Sequence, residues 1–159
     1  MALIQPILVP KFSIGDTGGH HLTVDTENSR LYVGTVDARL FTLAMDDLEV
    51  INLIDTGLGC GHVTVSNEIG VGVTTNHADT FMTIFDLKTG RRKADLPIAT
   101  PQIGSRKTQG HTSKWFGDSG LLYTAAAQNG LVLAIDPAAK KIVEELPVAG
   151  SYLIQRCFV

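Results

Sequence analysis

Histidine is the residue type in this sequence whose spacing could do chemistry. His20, His62 and His111 each follow a glycine and are separated by 42 and then 49 residues, and His21 stands directly after the first of them. Neutral imidazole nitrogens are common ligands of zinc and copper. If the fold gathers these positions around one centre, they predict a copper or zinc site. The alternative interpretation is structural, with the rings hydrogen-bonded to neighbouring loops. His77, in the turn 76–79, belongs to a different loop that could face the same side.

Cys60 lies two residues before His62 in a glycine-rich segment. A Cys-x-His pair could ligate a soft metal, or the imidazole could activate the thiolate as a nucleophile. The other interpretation is a small buried cysteine in a tight turn. Cys157, the second of the two cysteines, forms no CxxC pair with Cys60 and is interpreted as a packing residue.

Recurring sequence segments divide the chain into three units. Residues 14–20 resemble 54–62, residues 84–90 resemble 134–140, and residues 95–99 resemble 145–149. A period of about 40 to 50 residues is typical of repeat folds. We predict a single domain, 1–159, with units at approximately 15–57, 58–104 and 105–150 and a leading strand at 8–14.

Within each unit the apolar residues recur with period two, which indicates short strands with one buried face. The first unit has four such runs, at 22–24, 31–33, 40–43 and 50–54, and the other two units repeat the order. Asn129-Gly130 is a strong hairpin signal between two strands of the third unit. No segment shows a sustained helical period. The sequence therefore predicts an all-β fold in which each unit is a four-stranded propeller blade.

The phrase Gly19-His-His-Leu-Thr-Val-Asp25, followed by Arg30-Leu-Tyr-Val33, resembles the YVTN-type β-propeller repeat. The third unit matches at Gly110-His111, Leu121-Leu-Tyr123 and Ala134-Ile-Asp136, whereas the second lacks the Arg-Leu-Tyr phrase. The resemblance covers nearly the whole chain and implies a propeller. It does not imply one function, because propellers of this kind include enzymes, copper proteins and binding scaffolds.

Three blades are too few for a closed propeller, which normally has about 4 to 8. Open ends would expose strand edges and the apolar faces between blades. We therefore expect half of a six-bladed ring, completed by a second copy of the chain in a homodimer. The alternative is a complementary propeller chain.

The innermost strand of each blade would begin near the ring axis, which places His20 or His21, His62 and His111 around one centre. Arg106 and Lys107 lie in the long segment that leads to His111. A positively charged loop over the channel mouth could hold an anionic ligand. The alternative interpretation is a plain crossover loop.

Composition excludes several classes of function. The 159 residues carry a formal net charge of −3 with a pI near 5.9. This charge balance does not favour a basic surface of the kind that binds nucleic acid. No apolar run approaches the roughly 20 residues of a membrane helix, and no signal peptide is visible. The compartment stays open, since a processed periplasmic chain would look the same. Neither GxSxG, GxGxxG nor a P-loop occurs.

Two functions fit these observations. The first is a non-catalytic propeller scaffold that assembles as a dimer and binds a partner or small ligand at the ring axis. The alternative is a copper- or zinc-binding propeller, of which an oxidoreductase would be one kind, with metal held by His20, His21, His62, His111 and Cys60. Whether the chain is an enzyme is left open at this stage.

Overall fold

The computed structural model describes residues 18–98, 113–115, 119–126 and 130–148, and these form three four-stranded antiparallel sheets. The first sheet contains β1 (Gly19–Asp25), β2 (Arg30–Thr35), β3 (Arg39–Ala44) and β4 (Val50–Asp55). The second contains β5 (Cys60–Ser66), β6 (Val71–Asn76), β7 (Phe81–Asp86) and β8 (Arg92–Pro97). The third contains β9 (Ser113–Trp115), β10 (Leu122–Ala126), β11 (Leu131–Asp136) and β12 (Lys141–Pro147).

In each sheet the strands lie side by side in chain order. The predicted all-β architecture of three four-stranded units is therefore confirmed. The predicted leading strand, residues 8–14, lies outside the described residues. Among the residues that the structure describes, no helix has the length and apolar character needed to cross a membrane.

The recurring segments 84–90 and 134–140 form the same turn in the second and third sheets. Oδ1 of Asp86 accepts hydrogen bonds from the backbone N of Thr89, at 2.8 Å, and from its hydroxyl, at 3.0 Å. Asp136 accepts from the backbone N of Ala139 at 2.8 Å in the corresponding turn. Such aspartate turns satisfy backbone N–H groups that a tight hairpin leaves unpaired. The bonds to Thr89 also hold the pKa of Asp86 below its usual value.

The innermost strands β1, β5 and β9 lie next to one another and are joined by a repeated threonine contact. The hydroxyl of Thr23 donates to the carbonyl oxygen of Val63 at 2.8 Å. One blade later, the hydroxyl of Thr64 donates to the carbonyl oxygen of Ser113 at 2.9 Å. The same position on the inner strand therefore connects each blade to the next.

Two apolar cores fill the two seams between blades. We call the boundary between the first and second sheets the first seam, and that between the second and third sheets the second seam. The core of the first seam consists of Tyr32, Leu40, Cys60, Val63, Phe85 and Leu87. The core of the second seam consists of Val71, Val73, Met82, Ile84, Leu96, Ile98, Leu122, Ala126, Leu131, Leu133 and Ile135.

A hydrogen-bonded group closes the first seam at the far end of β1 from the histidines. The side-chain amide of Asn67 donates to Asp25 at 3.2 Å and to Glu27 at 2.9 Å, and Asn28 donates to Asn67 at 2.6 Å. Burial alone would raise the pKa of Asp25. The hydrogen bonds from Asn28 and Asn67 outweigh that effect, so the pKa of this carboxyl lies below its usual value.

The first sheet has an apolar face on the side away from the first seam. Register places Leu22 opposite Val33, Val33 opposite Phe41, and Phe41 opposite Leu53, so these side chains share one face. Leu22 is 61% exposed and Leu53 is 45% exposed. Val24, two residues from Leu22 along β1, is 49% exposed. We call Leu22, Val24 and Leu53 the open face.

Candidate functional site

Four histidines meet at one end of the first two blades. His20 and His21 are at the start of β1, and His62 is at the start of the neighbouring strand β5. His77 directly follows β6, and the pairing of Cys60 with Asn76 brings the end of β6 to the start of β5. Strand pairing within the second blade and packing of β1 against β5 together assemble these imidazoles from three separate stretches of sequence.

The rings are in direct contact. The ring centroids of His21 and His62 are 3.9 Å apart, with an interplanar angle of 32°. His20 lies 4.3 Å from His21 and 4.9 Å from His77, again between ring centroids. One ligand nitrogen each from His20, His21 and His77 lies within 4.8 Å of the others. His20 is exposed, whereas His21 and His77 are partly buried, so the group is open to solvent on one side.

Glycines hold His77 in place. Its backbone N donates to the carbonyl oxygen of Gly59 at 2.9 Å, and the N of Ala78 donates to Leu58 at 3.1 Å. A Cβ atom at Gly61 would lie 2.1 Å from Nε2 of His77, so only a glycine leaves room for this ring. The carboxylate of Asp79 accepts from the N of Leu58 at 2.6 Å and ties the same turn to the β4–β5 connection.

Cys60 lies in the core of the first seam rather than among the imidazoles. It is 0% exposed, and its Sγ is 3.2 Å from the hydroxyl of Thr74. Burial raises the pKa of the Cys60 thiol, and hydrogen bonds to Thr74 and Thr56 offset only part of that rise. A protonated, buried thiol is a poor nucleophile. The position corresponds to the interpretation of Cys60 as a buried packing residue.

The remaining predicted site residues lie outside the described part of the chain. These are His111, Arg106 and Lys107, and both the axial role of His111 and the anion site stay predictions. His77 was the residue missing from the predicted ligand set. Its only signal in the sequence was its place in a turn that could face the same side as the inner strands.

The burial of Cys60 predicts slow reaction with thiol reagents. In a Cys157→Ser variant Cys60 is the sole cysteine, and we expect it to react with a disulfide reagent at least about 100-fold more slowly in the native protein than in urea. Reaction must await local opening, because burial both shields the sulfur and disfavours the thiolate. The measurement is absorbance of the released thiol with time. Equal native and denatured rates would show that Cys60 is accessible.

Comparison with known proteins identifies the fold and no family. No protein-family model matches the sequence, and no curated protein is similar to it. The resemblance to YVTN-type repeats therefore stays a prediction.

Several solved structures are similar in fold. One contains the WD40 repeats of RRP9, with a TM-score of 0.70 and 12% identity over 84% of this chain and 39% of that chain. Hydrazine synthase of Kuenenia stuttgartiensis gives a TM-score of 0.73 and 13% identity over 86% of this chain and 38% of that chain. Dihydro-heme d1 dehydrogenase NirN gives a TM-score of 0.68 and 16% identity over 83% of this chain and 29% of that chain.

The chain spans less than half the length of each of these proteins. At such low identity the likeness concerns the fold, and three different proteins share it. The part of the chain that the structure describes has the fold of three consecutive β-propeller blades.

Proposed function

We propose that this chain is a non-catalytic propeller scaffold, in which two copies close a six-bladed ring that binds a partner or small ligand at its axis. The observation that supports this most directly is the open face of the first blade. Each seam inside the chain buries an apolar core between two sheets. The open face offers the same kind of surface to water, where each Å² costs about 25 cal/mol relative to burial.

The two ends of the three-blade unit carry matching positions for the inner-strand contact. Inside the chain, the hydroxyl of Thr23 donates to the carbonyl oxygen of Val63, and that of Thr64 to the carbonyl oxygen of Ser113. In both cases the acceptor immediately precedes the inner-strand position that corresponds to the donor threonine. The acceptor position in the first blade is then Leu22, and the donor position in the third blade is Lys114. Lys114 is exposed, and its ammonium group is a hydrogen-bond donor. A second copy would thus bring Lys114 of one chain to the Leu22 carbonyl of the other.

A two-fold axis would form this contact twice. The third blade of each copy would pack on the first blade of its partner, which closes the ring without leaving an unpaired end. Six blades lie within the usual range of about 4 to 8 for propellers. The ring would also bring the histidine ends of both copies to the same face, around a shared axis.

Sedimentation velocity of the untagged protein tests the proposal. We expect a species of twice the 17.0 kDa chain mass at micromolar concentration, with dissociation on dilution. A monomer throughout the micromolar range would overturn the closed dimer. Larger assemblies, or association only with a different propeller chain, would also contradict it.

A further inference from the structure

We propose that His20, His21 and His77 bind one divalent transition-metal ion of the copper–zinc class. All three residues come from the first two blades of a single chain, so the site does not require the ring to close. The proposal differs from the ligand set expected from sequence, because His77 takes part and Cys60, which lies in the apolar core, does not.

The donor set has the chemistry that these ions prefer. Three imidazoles are a recurring zinc ligand set and also suit copper, and the fourth coordination position is then left for water or an external ligand. Zinc–nitrogen bonds of about 2.0–2.1 Å bring tetrahedral ligand nitrogens to about 3.4 Å from one another. The nitrogens of His20, His21 and His77 lie within 4.8 Å. Small side-chain rotations, which are freest at the exposed His20, would shorten distances of this size.

The surroundings hold two of the three ligands in place. His21 stacks against His62 at 3.9 Å, which restricts the tilt of its ring, so His62 is a positioning residue here. His77 is fixed by the backbone hydrogen bond to Gly59 and by the ring-sized space above Gly61. A metal site gains affinity when its ligands are ordered before binding. The exposed His20 provides the side from which an ion can enter.

The open coordination position gives the site a use. An ion held by three imidazoles can accept a donor atom from a small anion or from a side chain of a partner. Such a site at the inner end of two blades would let the ring recognise a ligand through a metal bond, without any catalytic residue. Recognition through this metal ion would be a specific form of the ligand binding at the ring axis that is proposed above.

The test uses the full chain without a histidine tag. Isothermal titration with Zn²⁺ is expected to give one site per chain, and Cu²⁺ is expected to show an electron paramagnetic resonance spectrum split by imidazole nitrogens. His20→Ala removes an exposed ligand and should leave folding unchanged. His20→Ala and His77→Ala should each weaken Zn²⁺ binding by at least about tenfold.

Two further variants make the result specific. Gly61→Ala keeps all five histidines but places a methyl group where the His77 ring lies, and it should weaken Zn²⁺ binding as His77→Ala does. His111→Ala tests the ligand set expected from sequence, in which His111 is a ligand and His77 is not. Thermal unfolding without metal checks that each variant is folded.

Three outcomes would overturn the proposal. The first is binding of less than about a tenth of an equivalent of metal per chain. The second is an unchanged Zn²⁺ affinity in both His20→Ala and His77→Ala. The third is loss of Zn²⁺ binding in His111→Ala alone. The oligomeric state is measured separately, so failure of the metal site and failure of ring closure give different results.

Discussion

Replacing Phe85 by alanine is expected to lower the free energy of unfolding by about 3–5 kcal/mol, the largest stability change we predict. Phe85 is 1% exposed in the core of the first seam, and its ring centroid is 5.6 Å from that of Tyr32. Truncation removes apolar contacts with both blades and leaves a cavity between two sheets that cannot easily collapse. Urea denaturation followed by circular dichroism measures the change. Phe81→Ala, on the same strand but only partly buried, is the matched control and should cost less.

Gly72 provides a second, sharper test of the same packing. Gly72 pairs directly with Phe85, and a Cβ atom at Gly72 would lie 2.1 Å from the Phe85 ring. Gly72→Ala alone should therefore cost about 1–3 kcal/mol through overpacking. In the Phe85→Ala background the added methyl group enters vacated space, so the two costs should not add. Additive costs in the double variant would show that the ring does not lie over Gly72.

The blade architecture could be predicted because its signals are local. Alternation of apolar residues identifies strands without knowledge of their partners, and the aspartates Asp86 and Asp136 each mark a turn formed within a few residues. Repetition of the four-strand pattern three times then indicated three blades. His20 and His62, expected just before the inner strands, lie within the first three residues of β1 and β5.

The histidine cluster could be predicted only in part, because its contacts are long-range. His77 reaches the site through the pairing of Cys60 with Asn76 and through the absence of a side chain at Gly61. Neither is visible in a linear pattern. Cys60 illustrates the converse: its spacing from His62 indicated a shared site, but the strand register shifts between Cys60 and Val63. A register shift of this kind breaks the alternation, so Cys60 lies in the core whereas His62 stacks on His21.

Replacing Leu22 and Val24 together by glutamate is expected to raise the dissociation constant of the dimer by at least roughly 100-fold. Both side chains belong to the open face, and ring closure would bury them against the third blade of the other copy. Buried carboxylates without partners are strongly unfavourable, and the two-fold axis repeats the penalty at the second contact. Folding should change little, by about 0.5 kcal/mol for each site, since Leu22 is 61% and Val24 49% exposed.

Sedimentation velocity measures the loss of the dimer, and urea denaturation confirms that the variant is folded. Met45→Glu is the matched control, because Met45 is also an exposed apolar residue, at 38%, but lies in the turn between β3 and β4 rather than on the open face. It should leave the dissociation constant within about twofold of the wild-type value. If the double variant associates as tightly as the wild type, the open face is not the contact that closes the ring. If Met45→Glu disrupts the dimer instead, the two copies meet through the turns and not through a blade-on-blade seam.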